Sequence, residues 1–302
     1  DPAGIGLEVL LKALLDRPKP WPFIPVLFGS RCLFEQDYVR VLLDRHDVRE
    51  WKGDDSEADV VYLSYVYDLK SVSLAKETPE QGRAQVAYIK AAAQSVLDGA
   101  CDALVTAPIN KRALSLANEP YTGHTSLLQD YCRVSHVSMA FYSSVLSVVL
   151  ATVHCPLMMV KEKLEDTQLL QRTIVHAIEF SKGFCSDKPK IAVAGLNPHA
   201  GESGLFGTEE MALIRPVMDG FTDETVVLSG PFPPDTVFRQ AVKGDVDCVI
   251  AMYHDQGLIP VKLLAFDEAV NVTLGLPFIR CSPDHGTCLL YTSPSPRDGL
   301  LS

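Results

Sequence analysis

The sequence predicts an α/β protein with a mainly parallel sheet, and three observations carry that expectation. Apolar runs of strand length recur along the 302 residues, helical patterns lie between most of them, and the runs are continuously apolar, as in strands covered on both faces. The strand runs fall at 23–28, 59–64, 102–106, 138–142, 145–153, 190–194, 225–228 and 246–252. The clearest helix is TPEQGRAQVAYIKAAAQSVLDG. It has Thr78 as N-cap, Pro79 at the first helical position and Gln81 completing a capping box. Val86, Ile89, Ala93, Val96 and Leu97 lie on one face, and Gly99 is the stop. DPAGIGLEVLLKALL reads as a glycine turn feeding an amphipathic helix with Glu8 in its first turn.

A chain of this length suits one large or two medium domains. Turn chemistry in SLANEPYTGHT and a return near 265–272 place a first domain at 1–118 plus 269–302 and a second at 119–268. The tail LLYTSPSPRDGLLS has no helical period and is expected to be unstructured. With 27 basic against 38 acidic residues, a net charge of −11, the chain is no candidate for nucleic acid or an anionic membrane. An anionic ligand must be met by a few local cations. The eight cysteines include no C-x-x-C pair, no run reaches about 18 apolar residues and no basic leader precedes an apolar stretch, so a cytoplasmic enzyme is expected.

Chemistry concentrates at strand ends, where ligands of open α/β sheets bind. SVVLATVHCP, KIAVAGLNPHAG and AMYHDQG deliver His154, His199 and His254 just past three apolar runs. Three imidazoles suit a divalent cation with an open position; each is equally at home as a hydrogen-bonded histidine ending a strand. YTGHTSLLQDY puts His124 and Thr125 at a helix start, where an anion could sit or where Thr125 could simply cap the turn. GESGLFG is not the G-x-G-x-x-G fingerprint, so a dinucleotide would need another kind of site. Asp235 opens a helix after GPFPP, as a cap or as a catalytic carboxylate. Lys262, Asn271 and Arg280 share the stretch 261–280 and could grip a carboxylate or phosphate or be solvated at the surface.

The strings DPAGIG, TAPINK, YTGHT, GLNPHAGESGLFG, GPFPPDT, MYHDQG and VNVTLGLPFIRCSPDHGT, in order over 1–287, resemble the 4-hydroxythreonine-4-phosphate dehydrogenase family of pyridoxal phosphate biosynthesis. The resemblance implies the two-domain fold of isocitrate and isopropylmalate dehydrogenases, with a cleft between the domains and an NAD site unlike the Rossmann one. It implies a homodimer with a shared active site and no partner among nucleic acids or membranes. A divalent metal, zinc before magnesium or cobalt, would be held by His154, His199 and His254, one of them donated by the second subunit. Substrate contacts carry over to His124, Thr125, Lys262, Asn271 and Arg280, and catalytic roles to Asp235 and Lys262. The cofactor, NAD with NADP as the alternative, would lie near Leu274, Gly275 and Asp284. The implied reaction oxidises 4-phosphooxy-L-threonine to a 3-keto acid that loses CO₂ to give 3-amino-2-oxopropyl phosphate, with Asp255 orienting the His254 imidazole. The family pattern also has a strand ahead of DPAGIG and a helical segment after DHGT, both expected to be missing from the first domain. Rival readings are a threonate or erythronate 4-phosphate dehydrogenase, a metal-dependent hydrolase, and a binding protein without activity.

Overall fold

Thr78 begins the longest helix much as its sequence dictates. Its side chain accepts from the Gln81 amide at 3.2 Å, Pro79 takes the first helical position, and the helix Pro79–Leu97 runs to Gly99 at φ 75°. The box closes differently from the usual one: the Thr78 hydroxyl donates to the Gln81 side-chain oxygen and the Gln81 amide group donates to the Ser73 carbonyl. Val86, Ile89 and Ala93 are buried as expected, whereas Leu97 faces solvent.

The structure, a computed structural model, describes residues 1–283. Asp284 and the tail lie outside the described residues. The chain divides into two units, Asp1–Val134 with the return from Leu276, and Ser135–Gly275. The first break falls later than turn chemistry suggested because Leu127 and Leu128, on the helix His124–Tyr131, are buried in a cluster with Val86, Ile89, Ala93, Leu104 and Leu114.

The strands are β1 (Val26–Gly29), β2 (Asp47–Glu50), β3 (Val60–Tyr65), β4 (Ala103–Val105), β5 (Ser138–Tyr142), β6 (Val148–Leu150), β7 (Lys190–Ala194), β8 (Val227–Phe232), β9 (Cys248–Ala251), β10 (Val270–Leu274) and β11 (Ile279–Ser282). In the first unit β1, β3 and β2 form a parallel sheet, and β4 pairs in parallel with β11. In the second unit the order is β10-β5-β6-β9-β7-β8. Its β6–β9, β9–β7 and β7–β8 pairs are parallel; β10–β5 and β5–β6 are antiparallel. The α/β class with a mostly parallel sheet is therefore observed. β5 and β7 coincide with their apolar runs. β2, β10 and β11 were not anticipated: β2 is the polar string DVRE, and β10 and β11 lie in a stretch judged by its charged groups.

The second unit's core joins Phe141, Val148, Leu150, Ala192, Val249, Ala251, Leu258 and Val261. Leu258 and Val261 belong to the helix His254–Leu264, so the sheet and this helix bury a common face and fix where His254 stands. Among the described residues no helix is long and apolar enough to cross a membrane.

Candidate active site

In the first unit, β4 and β11 end beside the helix His124–Tyr131. The parallel register places Arg280 opposite Leu104, so the Arg280 side chain lies next to the segment following β4, and its guanidinium donates to the Thr106 hydroxyl at 2.6 Å. Arg280 is only 4% exposed, and loss of solvent pushes its pKa down to about 10. It remains a cation at neutral pH, held where water solvates it poorly. His124 is half-buried, and desolvation of its ring, reinforced by the Arg280 guanidinium, pushes its pKa well below the ordinary histidine value. A neutral imidazole beside a buried guanidinium can donate to, or accept from, an uncharged group while the guanidinium meets an anion.

Thr106, Ala107, Pro108, Ile109, Lys111, His124, Ser282 and Pro283 line a depression of about 210 Å³. The loop is fixed from beneath: the Asn110 amide donates to the Gln85 side chain at 2.8 Å, and the Asn110 side chain caps the helix Lys111–Leu116. Thr125 does not cap the helix beginning at His124. Ser126 makes the local bonds instead, accepting from the Thr122 amide and donating to the Gly123 carbonyl. Sequence reasoning missed Thr106 and Lys111 as lining groups, although the string TAPINK contained both.

In the second unit, β6, β9 and β7 are parallel neighbours, and this adjacency brings His154 and His254 together with ring centroids 5.7 Å apart. His254 is the first residue of the helix His254–Leu264. Its Nδ1 pairs with Asp255 Oδ1 at 2.6 Å, which leaves Nε2 directed elsewhere. His199 does not join the pair; its ring packs on Phe206 at 5.9 Å. It sits in a turn where five consecutive residues, His199 to Ser203, hold φ between 41° and 77°. Gly201 is at home there, but each of the other four costs about 1 to 2 kcal/mol relative to right-handed backbone.

Each histidine follows, by two residues, a tightly bonded residue. Thr152 donates through its hydroxyl to the Met252 carbonyl at 2.8 Å, and Met252 donates through its amide to the Gln256 side chain at 2.6 Å. Gln256 in turn donates to the Gly195 carbonyl at 2.8 Å, and Asn197 donates through its amide to Glu210 at 2.7 Å. Gln256 and Glu210 are buried, and neither was flagged by the sequence.

Two imidazoles at this spacing, one of them oriented by a carboxylate, are the donor chemistry of a divalent first-row cation, so two of the three expected ligands fit within one chain. Among the described residues no three His, Cys, Asp or Glu side chains of a single chain converge on one point.

Asp235 lies in the first turn of the helix Pro234–Val242, exposed, with Pro233 rather than Asp235 as N-cap. Lys262 is exposed near the end of the helix that His254 opens. Asn271, on β10, is buried and its side-chain oxygen has no hydrogen-bond partner among the described residues. Leu274 ends β10, and Gly275 follows it at φ 85° against the His176 ring. Lys262 and Asn271 belong to the second unit and Arg280 to the first.

Comparison with known proteins decides the family. The profile described as pyridoxal phosphate biosynthetic protein PdxA matches residues 23–292. The chain belongs to the PdxA family. It is 38% identical to a 4-hydroxythreonine-4-phosphate dehydrogenase of Desulforapulum autotrophicum over 95% of this chain and 86% of that protein. It is 39% identical to a D-threonate 4-phosphate dehydrogenase of Salmonella typhimurium over 95% of this chain and 89% of that one. A crystal structure of 4-hydroxythreonine-4-phosphate dehydrogenase from Klebsiella pneumoniae superposes with a TM-score of 0.84 at 37% identity, covering 96% of this chain and 88% of that one. PdxA relatives thus carry two substrate names at nearly equal similarity, and both are dehydrogenases of phosphorylated four-carbon acids.

Proposed function

We propose that this chain is a nicotinamide-dependent dehydrogenase that oxidises the secondary alcohol of 4-phosphooxy-L-threonine. The 3-keto acid formed loses CO₂ to give 3-amino-2-oxopropyl phosphate. The observation that carries the reading is the wall of the first unit, where buried Arg280, bonded to Thr106, stands beside neutral His124 at a depression that Thr106, His124 and Lys111 line. That combination of two cations and an uncharged imidazole suits a phosphate monoester whose neighbouring hydroxyl needs a neutral hydrogen-bond partner.

The guanidinium would take the phosphate, His124 and Thr125 would orient the substrate, and the buried oxygen of Asn271 would accept from a donor such as the substrate ammonium. Lys262 or Asp235 would receive the hydroxyl proton as hydride departs. When bound, NAD takes the hydride, NADP being the alternative, and a divalent cation, zinc before magnesium or cobalt, lowers the pKa of the alcohol. His154 and His254 would hold that cation with His199, one of the three coming from a second copy. Asp255 would keep the His254 ring oriented through Nδ1. The cofactor would lie near Leu274, Gly275 and Asp284, in the two-domain arrangement of isocitrate and isopropylmalate dehydrogenases. A homodimer is supported by exposed apolar residues of the second unit, including Ile259 and Leu263 one turn apart and Leu157 and Met158 just past His154. A cytoplasmic location fits a biosynthetic enzyme with seven free cysteines among the described residues.

The second reading, oxidation of D-threonate 4-phosphate, is favoured by relatives of that name at 39% identity. Zinc-loaded protein incubated with NAD and each phosphorylated acid in turn separates the two. NADH from 4-phosphooxy-L-threonine at a kcat/KM at least tenfold above that with D-threonate 4-phosphate is expected. The opposite ranking selects the second reading, and NADH from neither rejects both.

A further inference from the structure

The turn carrying His199 holds four non-glycine residues in left-handed backbone, and such a turn persists only if its surroundings over-determine it. At its ends the backbone is tied by bonds from Ala200 N to the Asn197 carbonyl, from Leu205 N to the Gly201 and Glu202 carbonyls and from Phe206 N to the Gly201 carbonyl. What grips it from outside its own backbone is a buried carboxylate. Glu210, 3% exposed, accepts from the Asn197 amide at 2.7 Å through Oε1 and from the Asn197 side chain at 3.1 Å through Oε2. The same Asn197 side chain donates to Glu209 at 2.8 Å. A Cβ at Gly201 would stand 2.7 Å from Glu210 Oε2, and one at Gly195 would stand 3.1 Å from Oε1. The carboxylate therefore fills the inside of the turn, touching the chain both before and after His199. On the other side, the Gly195 carbonyl is held by Gln256, whose oxygen holds the Met252 amide two residues before His254.

We propose that Glu210 is a positioning residue: its carboxylate sets the left-handed turn and thereby presents the His199 imidazole at a fixed offset from the His154 and His254 pair, to which Gln256 ties it. Glu210 acts through Asn197, whose amide and side chain bond its two oxygens. The inference rests on the reading of His199 as a ligand of the cation.

The test uses the full chain as Glu210→Gln, Asn197→Ala and His199→Ala, with two readouts. One is zinc affinity by chelator competition; the other is amide hydrogen exchange over 197–206 in metal-free protein. Glu210→Gln keeps the size of the side chain and the acceptor for the Asn197 amide but turns a donor toward the Asn197 side chain; Asn197→Ala keeps the backbone bond. Both are expected to lower zinc affinity about tenfold to a hundredfold and to speed exchange in the turn, while strands β6 and β9 stay protected. His199→Ala should lower affinity by at least as much without altering exchange before residue 197. If His199→Ala matters but neither Glu210→Gln nor Asn197→Ala shifts affinity by more than twofold, the positioning role is overturned and the ligand reading stands. If His199→Ala leaves affinity unchanged, the ligand reading fails and takes the proposal with it. Unchanged exchange in Glu210→Gln and Asn197→Ala would equally overturn it.

Discussion

Arg280 and Thr106 are joined by a 2.6 Å hydrogen bond in which a buried guanidinium donates to a hydroxyl, tying β11 to the segment after β4. Replacing Arg280 with Met removes the guanidinium and its bond to Thr106. The KM for a phosphorylated substrate should rise about a hundredfold, roughly 2.7 kcal/mol. Arg280→Lys should not restore it, because a point charge lacks the planar fork. Steady-state kinetics with both variants check this.

The pKa of His124 is pushed well below 6.5, and those of His46, His136 and His176 are lowered as well, each chiefly by burial. As the pH falls through about 6.5 the unfolded chain takes up protons that the folded chain refuses, so the unfolded state gains. The stability these neutral rings provide is complete above that pH and drains away toward the lowered folded values. Urea midpoints should be level near about pH 7.5 and fall by about pH 5, with a shallower fall in His124→Gln.

Asp255 holds His254 Nδ1 at 2.6 Å. Asp255→Asn keeps the shape but weakens the acceptor, and zinc affinity should drop about tenfold to a hundredfold in chelator competition. Because Asp255 is exposed, the melting temperature of the metal-free protein should stay put.

Gly275 is a position where both backbone and space exclude a side chain. Its φ is 85°, and a Cβ would lie 2.5 Å from the His176 ring and 2.8 Å from the His136 carbonyl. Gly275→Ala should lose about 1 to 3 kcal/mol of stability. His176→Ala should recover part of that loss, since it clears the ring but not the carbonyl; a double-mutant cycle in urea reads the coupling.

Thr78→Ala removes the cap of the helix Pro79–Leu97 and the hydroxyl that donates to the Gln81 side-chain oxygen, leaving that side chain its bond to the Ser73 carbonyl. A loss of about 1 kcal/mol in urea denaturation is expected, and Thr78→Ser should retain most of it.

What could be seen in the sequence followed from periodicity and position. The runs giving β5 and β7 stand in the structure residue for residue, and the cap at Thr78 and the histidines past β6 and β7 fall where the pattern puts them. β2 escaped because an edge strand of charged residues has no apolar signature, and β10 because Lys262, Asn271 and Arg280 drew attention to charge rather than to VNVTL. The adjacency of His154 and His254 needs the β6–β9 pairing, which no local pattern encodes. Glu210 was invisible for a related reason: nothing local in TEEMALI shows that the fold closes the Asn197 segment over its carboxylate.

The pairing that sets His154 beside His254 joins residues about one hundred positions apart, as the bond from Thr152 to the Met252 carbonyl records. Contacts of such long sequence separation form late, after the entropy of closing a large loop has been overcome. A nascent chain released before β9 has docked would therefore hold scattered imidazoles with no common grip on an ion. If these histidines hold the proposed cation, its capture would mark completed folding, and the onset of zinc binding during refolding should trail the appearance of helical signal.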